Sequence, residues 1–73
     1  MPHINVKMFP GRDEETKSIL ARKIMAIAEE TLGCPISALS VSIEDVQPEK
    51  WNETVGDVIP EDKIYAGEMY KVK

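Results

Sequence analysis

The stretch PHINVKMF, residues 2–9, decides the fold of this chain. Polar and apolar side chains alternate along it, in the order His3, Ile4, Asn5, Val6, Lys7 and Met8. This period of two predicts a half-buried strand. Pro2 opens the strand, where a residue without an N–H does least harm to the ladder. Pro10 and Gly11 then turn the chain.

An amphipathic helix is predicted after this turn, from about residue 14 to about residue 32. Asp13 is the expected N-cap, and Gly33 with Pro35 supplies the usual stop. The apolar stripe at helical spacing consists of Leu20, Ile24, Ile27 and Thr31.

A second strand follows from the alternation in LSVSIE, residues 39–44. One long crossover helix joins the two strands, so we expect them to be parallel. Residues 47–50 suggest a turn, and Ile64 to Val72 are expected to form a short C-terminal strand or hairpin. The fold class is therefore α+β, with residues 1–73 as a single domain.

Size and charge limit the partners. A domain of 73 residues buries only about 60% of the surface that its unfolded chain exposes, which favours a homo-oligomer. A net charge of -4 with scattered cations argues against nucleic acid. No apolar run approaches the roughly 20 residues that cross a bilayer, so no membrane is expected. Cys34 is the only cysteine, which fits a reducing, cytoplasmic location.

Pro2 is the candidate of greatest chemical interest. A strand-opening proline is the simpler interpretation of this residue. If Met1 is removed, however, Pro2 becomes a secondary amine at the end of an ordered strand. An α-amino group titrates near pH 8 in short peptides, and burial or a nearby cation lowers its pKa towards the value that proton transfer requires.

Arg12 and Trp51 are the two other candidates. Arg12 is either a solvated loop charge beside Asp13 or a bidentate clamp for a carboxylate, which would also stabilise enolate charge. Trp51, the only tryptophan, is either a core or interface aromatic or an apolar pocket wall that excludes water.

The single histidine and the single cysteine suggest no further chemistry. His3 falls on the polar face of the first strand, where a hydrogen-bonding role is more common than catalysis. One cysteine and one histidine are too few for an ordinary zinc site, and no base is evident beside Cys34. We therefore expect no metal and no cofactor.

Taken together, these features resemble the 4-oxalocrotonate tautomerase family. The resemblance covers roughly residues 1–55 and rests on Met1-Pro2-His3-Ile4, Phe9-Pro10-Gly11-Arg12, the Asp13-led helix and the strand from Ser37 to Glu44. The chain length and Gln47-Pro48-Glu49-Lys50-Trp51 are more similar to the dimeric bacterial branch. The resemblance implies a β-α-β fold like that of macrophage migration inhibitory factor, with a sheet extended by oligomerisation.

The resemblance also implies roles for the candidates. Pro2 matches the catalytic acid and base that interconverts enol and keto forms without a cofactor. Arg12 matches the arginine that holds a substrate carboxylate, often across a subunit interface, and Trp51 matches an aromatic that makes the pocket apolar. A homodimer is favoured over a hexamer.

Ser40 departs from the hexameric type, which has a second arginine there. This difference disfavours a dicarboxylate and favours a 2-oxo monoacid with an aromatic or short apolar arm, to which the Ser40 hydroxyl is expected to donate a hydrogen bond.

Two alternatives stay open: a non-catalytic small-molecule-binding or interaction oligomer of the same fold, and a related reaction of the Pro2 amine such as hydration, decarboxylation or dehalogenation. Met1 acylates Pro2 in the encoded chain, so retention of Met1 would favour the first alternative, whereas the second uses the free Pro2 amine.

Overall fold

The computed structural model describes all residues from 1 to 73, and a parallel pair of strands forms its frame. Strand β1 (His3–Met8) is followed by helix α1 (Glu14–Leu32), a 3-10 turn (Ile36–Ala38) and strand β2 (Ser40–Asp45). The strands pair in parallel, with His3 opposite Ser40 and Met8 opposite Asp45. The predicted strand-helix-strand unit is confirmed.

Both ends of α1 have the expected caps. The Asp13 carboxylate accepts a hydrogen bond of 2.8 Å from the backbone N–H of Thr16. At the other end Gly33 adopts the left-handed conformation, with φ of 68°, and its N–H donates to the carbonyl oxygen of Glu29. A side chain is disfavoured at this φ, so glycine is what allows the chain to leave the helix here.

The Asp13 cap makes a testable contribution to stability. The hydrogen bonds from Thr16 lower the pKa of the Asp13 carboxyl. Because the folded pKa lies below the unfolded value, this stabilisation is present above about pH 4 and is lost as the pH falls through the folded pKa. We expect Asp13→Ala to lower the thermal midpoint by a few degrees at neutral pH, while Asp13→Asn, which also caps, stays close to wild type.

Thermal unfolding followed by circular dichroism between about pH 7 and pH 2 tests this prediction. On acidification the wild type should lose stability relative to Asp13→Asn. A constant difference between the thermal midpoints of the two proteins across the whole pH range would contradict the prediction.

The core of the single chain is small, and its sheet has only two strands to pack against α1. Only five of the 73 residues are buried, among them Ala28, Leu39 and Val55. Ile27, which lies on the predicted stripe, remains 61% exposed. The chain therefore leaves apolar surface for a partner to cover.

The other face of the sheet is polar. Its side chains form a continuous hydrogen-bonded row, here called the polar ladder, made of His3, Asn5, Lys7, Ser40, Ser42 and Glu44. Within it the Lys7 ammonium donates to Glu44 at 2.6 Å, and the Asn5 amide donates to the same oxygen at 3.0 Å. Both hydrogen bonds lower the pKa of the Glu44 carboxyl, and the one from Lys7 contributes more than the one from Asn5.

Two expectations for the C-terminal third are corrected. The turn expected at residues 47–50 is instead the start of helix α2 (Pro48–Trp51), with Pro48 at its first position, and α2 continues as a π turn (Asn52–Gly56). The expected C-terminal strand or hairpin does not form, and after a 3-10 turn (Glu61–Lys63) the tail is irregular. The reason is that side chains of α2 and the π turn occupy tail backbone groups that a strand would need. None of the helices combines the length and apolarity needed to cross a membrane.

Candidate active site

Pro2 lies immediately before β1 and is half-buried. Its neighbours at this end of the sheet are Leu39, which is buried, and the pair of His3 and Ser40 on the polar ladder. In the encoded chain Met1, which is almost fully exposed, forms a tertiary amide with the Pro2 nitrogen. Removal of Met1 would leave a secondary amine at the end of an ordered strand.

Arg12 lies beyond the other end of β1, in the turn that leads to α1. Its guanidinium is exposed and makes neither a hydrogen bond nor an ion pair within the chain. The adjacent Asp13 carboxylate accepts from Thr16 instead. Arg12 is thus a cation without an internal partner, and all of its donors are available to a ligand.

Trp51 ends α2 and packs against the residue that follows β1. Its ring meets Phe9 edge to face, with ring centroids 5.1 Å apart, and its indole N–H donates to the carbonyl oxygen of Tyr70 at 2.8 Å. Such a pair is a usual aromatic packing geometry. Trp51 is half-buried, so part of the ring remains available to line a site.

Ser40 lies at the same end of the sheet as Pro2, opposite His3. The Ser40 hydroxyl is 2.6 Å from Nδ1 of His3, and Nε2 of the same ring is 2.9 Å from the Ser42 hydroxyl. His3 therefore has the hydrogen-bonding role expected for the polar face. The Ser40 hydroxyl has one donor and two acceptor positions, and the contact with His3 uses one of these three.

The candidates divide between the two ends of β1 within one chain. Pro2 and Ser40 lie at the amino-terminal end, whereas Arg12 and Trp51 lie at the carboxyl-terminal end, beside Phe9. A strand rises about 3.3 Å per residue, so the seven steps from Pro2 to Phe9 span about 23 Å. No small substrate spans this distance, and a single chain does not bring all four residues together.

Three residues near Trp51 were not predicted to belong to the site: Phe9, Asn52 and Tyr70. Phe9 does carry a signal in the sequence, because it places an aromatic residue on the odd-numbered side of a strand whose other odd positions are polar. Asn52 and Tyr70 carry none, since their roles depend on how the tail folds back.

Comparison with known proteins finds consistent matches. A family model described as tautomerase enzyme matches residues 2–63. Tautomerase PptA of Pectobacterium atrosepticum is 42% identical over 60 residues, which cover 81% of this chain and 79% of that protein. A probable tautomerase of Bacillus cereus is 46% identical over 46 residues, which cover 63% of this chain and 75% of that protein.

Solved structures give the same result. TomN, a 4-oxalocrotonate tautomerase homologue in the tomaymycin biosynthetic pathway, superposes with a TM-score of 0.65 and 38% identity, over 68% of this chain and 77% of TomN. N2, a member of the 4-oxalocrotonate tautomerase family, superposes with a TM-score of 0.62 and 30% identity, over 64% of this chain and 73% of N2.

Proposed function

Because the chain belongs to the 4-oxalocrotonate tautomerase family and is a tautomerase, we propose that it interconverts the enol and keto forms of a small 2-oxo acid without a cofactor. Pro2, released by removal of Met1, is the general acid and base. Arg12, Trp51 and Ser40 bind the substrate.

The position of Pro2 carries this proposal. The family match begins at residue 2, and β1 begins at the next residue. The amine of a processed chain would therefore be held at a fixed place at the start of an ordered strand, rather than on a frayed terminus. Burial of this amine in an assembled site, or the cation of Arg12 from a partner chain, would disfavour the charged ammonium and so lower the pKa of the amine towards neutrality.

The reaction requires two proton transfers, one from the substrate to the amine and one from the amine back to the substrate. The amine takes the proton from the enol hydroxyl, and the resulting ammonium delivers a proton to the neighbouring carbon. One O–H bond is broken, one C–H bond is formed and the amine is regenerated. A base with a pKa near the working pH serves both halves of this cycle.

Arg12 and Ser40 give the substrate its orientation in this proposal. The unpaired Arg12 guanidinium binds the carboxylate in bidentate geometry, and the Ser40 hydroxyl, which accepts from the Nδ1–H of His3 in this proposal, donates its own hydrogen to the substrate. A single arginine at the site favours a monoacid. The apolar surface of Trp51 and Phe9 favours an aromatic or short apolar arm, as in phenylpyruvate.

A complete site of this kind requires two chains. Each strand of the two-stranded sheet has one free edge. Antiparallel pairing of the free β1 edges about a twofold axis would bring Pro2 of one chain next to Arg12 and Trp51 of its partner. The same twofold would help to cover the apolar groove of about 450 Å³ that includes Ile4 and Ile27.

The polar ladder favours a dimer over a hexamer. Its charged and hydrogen-bonded side chains cover the face of the sheet opposite α1, and they are satisfied within the chain. Burying this face under further subunits would desolvate Lys7 and Glu44, which costs more than their pairing returns. We place the dimer in the cytoplasm, since Cys34 is unpaired.

Co-expression of two impaired variants tests the shared site. Pro2→Ala and Arg12→Ala chains with different tags are produced together, and the mixture is assayed for ketonisation of enol phenylpyruvate at concentrations well below the wild-type KM, where both variants are slow. About a quarter of wild-type activity is expected, because about half of the dimers are mixed and each mixed dimer has one intact site. Activity no higher than that of the two variants alone would contradict a site shared between chains.

A further inference from the structure

The last ten residues fold back onto the helical segment that carries Trp51. They lie outside the family match, which ends at residue 63. Tyr70 to Val72, here called the strap, makes every side-chain hydrogen bond between this tail and the rest of the chain. The tail is therefore attached at one place.

Asn52 and Trp51 hold the strap through its backbone. The Asn52 amide donates to the carbonyl oxygen of Val72 at 2.6 Å and accepts from the N–H of Val72 at 2.8 Å. The neighbouring Trp51 indole donates to the carbonyl oxygen of Tyr70. Because Asn52 pairs with both polar groups of one residue, the strap has a defined register along the helix.

The Tyr70 side chain completes an aromatic cluster around Phe9. The rings of Phe9 and Tyr70 meet edge to face with centroids 6.0 Å apart, and Trp51 meets Phe9 from another side at 5.1 Å. The position of the Trp51 ring thus depends on Phe9 and on the strap. Tyr70 itself remains 61% exposed, so its ring presents apolar surface next to Trp51.

Gly56 allows the strap to approach the π turn this closely. It is buried, and a Cβ at this position would lie 3.1 Å from Oδ1 of Asn52 and 3.3 Å from Cγ of Lys71. An added Cβ would therefore require the Asn52 and Lys71 side chains to shift by a few tenths of an ångström. The rest of the tail is more loosely packed, since a cavity of about 710 Å³ lies beneath it and Tyr65 is 95% exposed.

We infer that the strap positions Trp51, and that Tyr70 is a specificity-determining residue that extends the aromatic wall of the substrate site. This inference rests on the proposed function, in which Trp51 lines the pocket. Asn52 acts through Trp51 and the strap and is a positioning residue. The substrate class that benefits is a 2-oxo acid with a flat aryl arm, which both rings can contact.

Four variants of the full dimeric protein separate this role from general stability. Asn52→Ala removes both bonds to Val72, and a chain that ends at Met69 removes the strap. Tyr65→Ala and a chain that lacks only Lys73 are the matched controls, because Tyr65 is exposed and Lys73 follows the strap. Circular dichroism and size-exclusion chromatography establish that each variant is folded and dimeric.

Two measurements follow on these variants. Trp51 is the only tryptophan, so intrinsic fluorescence reports directly on its surroundings. Loss of the strap should move its emission to longer wavelength and increase quenching by acrylamide. KM for enol phenylpyruvate should rise about three- to tenfold with kcat nearly unchanged, while KM for a 2-oxo acid with a methyl arm stays the same.

Unchanged Trp51 emission and unchanged KM in both Asn52→Ala and the chain ending at Met69 would overturn the inference. A higher kcat/KM for the shortened chain would also overturn it, because the strap would then cover the site rather than build it. An inactive wild-type protein with processed Pro2 would instead reject the proposed function, while the fluorescence comparison would still show whether the strap holds Trp51.

Discussion

Pro2→Ala is expected to lower kcat for ketonisation of enol phenylpyruvate about 100- to 10,000-fold, the usual contribution of a positioned acid and base. The variant leaves a primary amine in place of the secondary amine, so a residual rate is expected. β1 begins at His3 and its ladder does not use an N–H from residue 2, so the fold and the proposed dimer should persist. Stopped-flow absorbance on the processed protein gives the rate.

The matched control is Pro60→Ala. Like Pro2, Pro60 has no backbone N–H, so its substitution removes no hydrogen-bond donor. It is exposed and precedes the 3-10 turn, far along the chain from β1. Its kcat should equal that of the wild type. A Pro2→Ala enzyme with kcat within about threefold of wild type would show that another group transfers the proton.

Arg12→Ala is expected to lower kcat/KM about 10- to 100-fold, because charge-assisted hydrogen bonds contribute about 1.5–3 kcal/mol each to binding. Most of the loss should appear in KM, since the carboxylate is bound in the ground state as well as in the transition state. Arg12 has no partner inside the chain, so the substitution should not change the thermal midpoint. Steady-state kinetics and thermal unfolding measure the two effects.

Two further substitutions sharpen the assignment of Arg12. Arg12→Lys keeps the charge and loses the planar fork, so it should recover only part of the affinity. Arg22, the only other arginine, lies on the exposed side of α1 and donates to Ser18 at 2.9 Å. Arg22→Ala should leave kcat/KM unchanged. An equal effect of both alanine substitutions would mean that long-range charge, and not a carboxylate clamp, is responsible.

The β-α-β frame could be predicted because each of its signals is local. The alternation in residues 2–9 and 39–44, the cap at Asp13 and the stop at Gly33 depend on neighbours within a few residues. The bounds of α1, Glu14–Leu32, agree with the expected range. The choice of polar partners across the strands was not predicted, because it depends on the register, with His3 opposite Ser40, which appears only in the folded chain.

The C-terminal third could not be predicted because its structure depends on contacts between distant residues. The pairing of Asn52 with Val72 replaces the expected strand or hairpin, and it joins residues 20 positions apart. The exposure of Ile27 could not be predicted either, because a helical stripe indicates an apolar face but not whether the same chain covers it.

The candidate site, too, could be predicted only in part. Pro2, Arg12 and Trp51 could be singled out by residue type and by resemblance, but their distribution between opposite ends of β1 appears only in the folded chain. Tyr70 could not be found from the sequence, since nothing in its local pattern places it beside Phe9.

In the proposed reaction the free amine of Pro2 transfers the proton. The most direct test of this role compares two preparations of the same chain, one with Met1 retained and one with Met1 removed, each with its N-terminal mass determined. Ketonisation activity should increase in proportion to the fraction of chains that begin at Pro2 and should be absent where Met1 is retained. Equal activity in the two preparations would contradict the account.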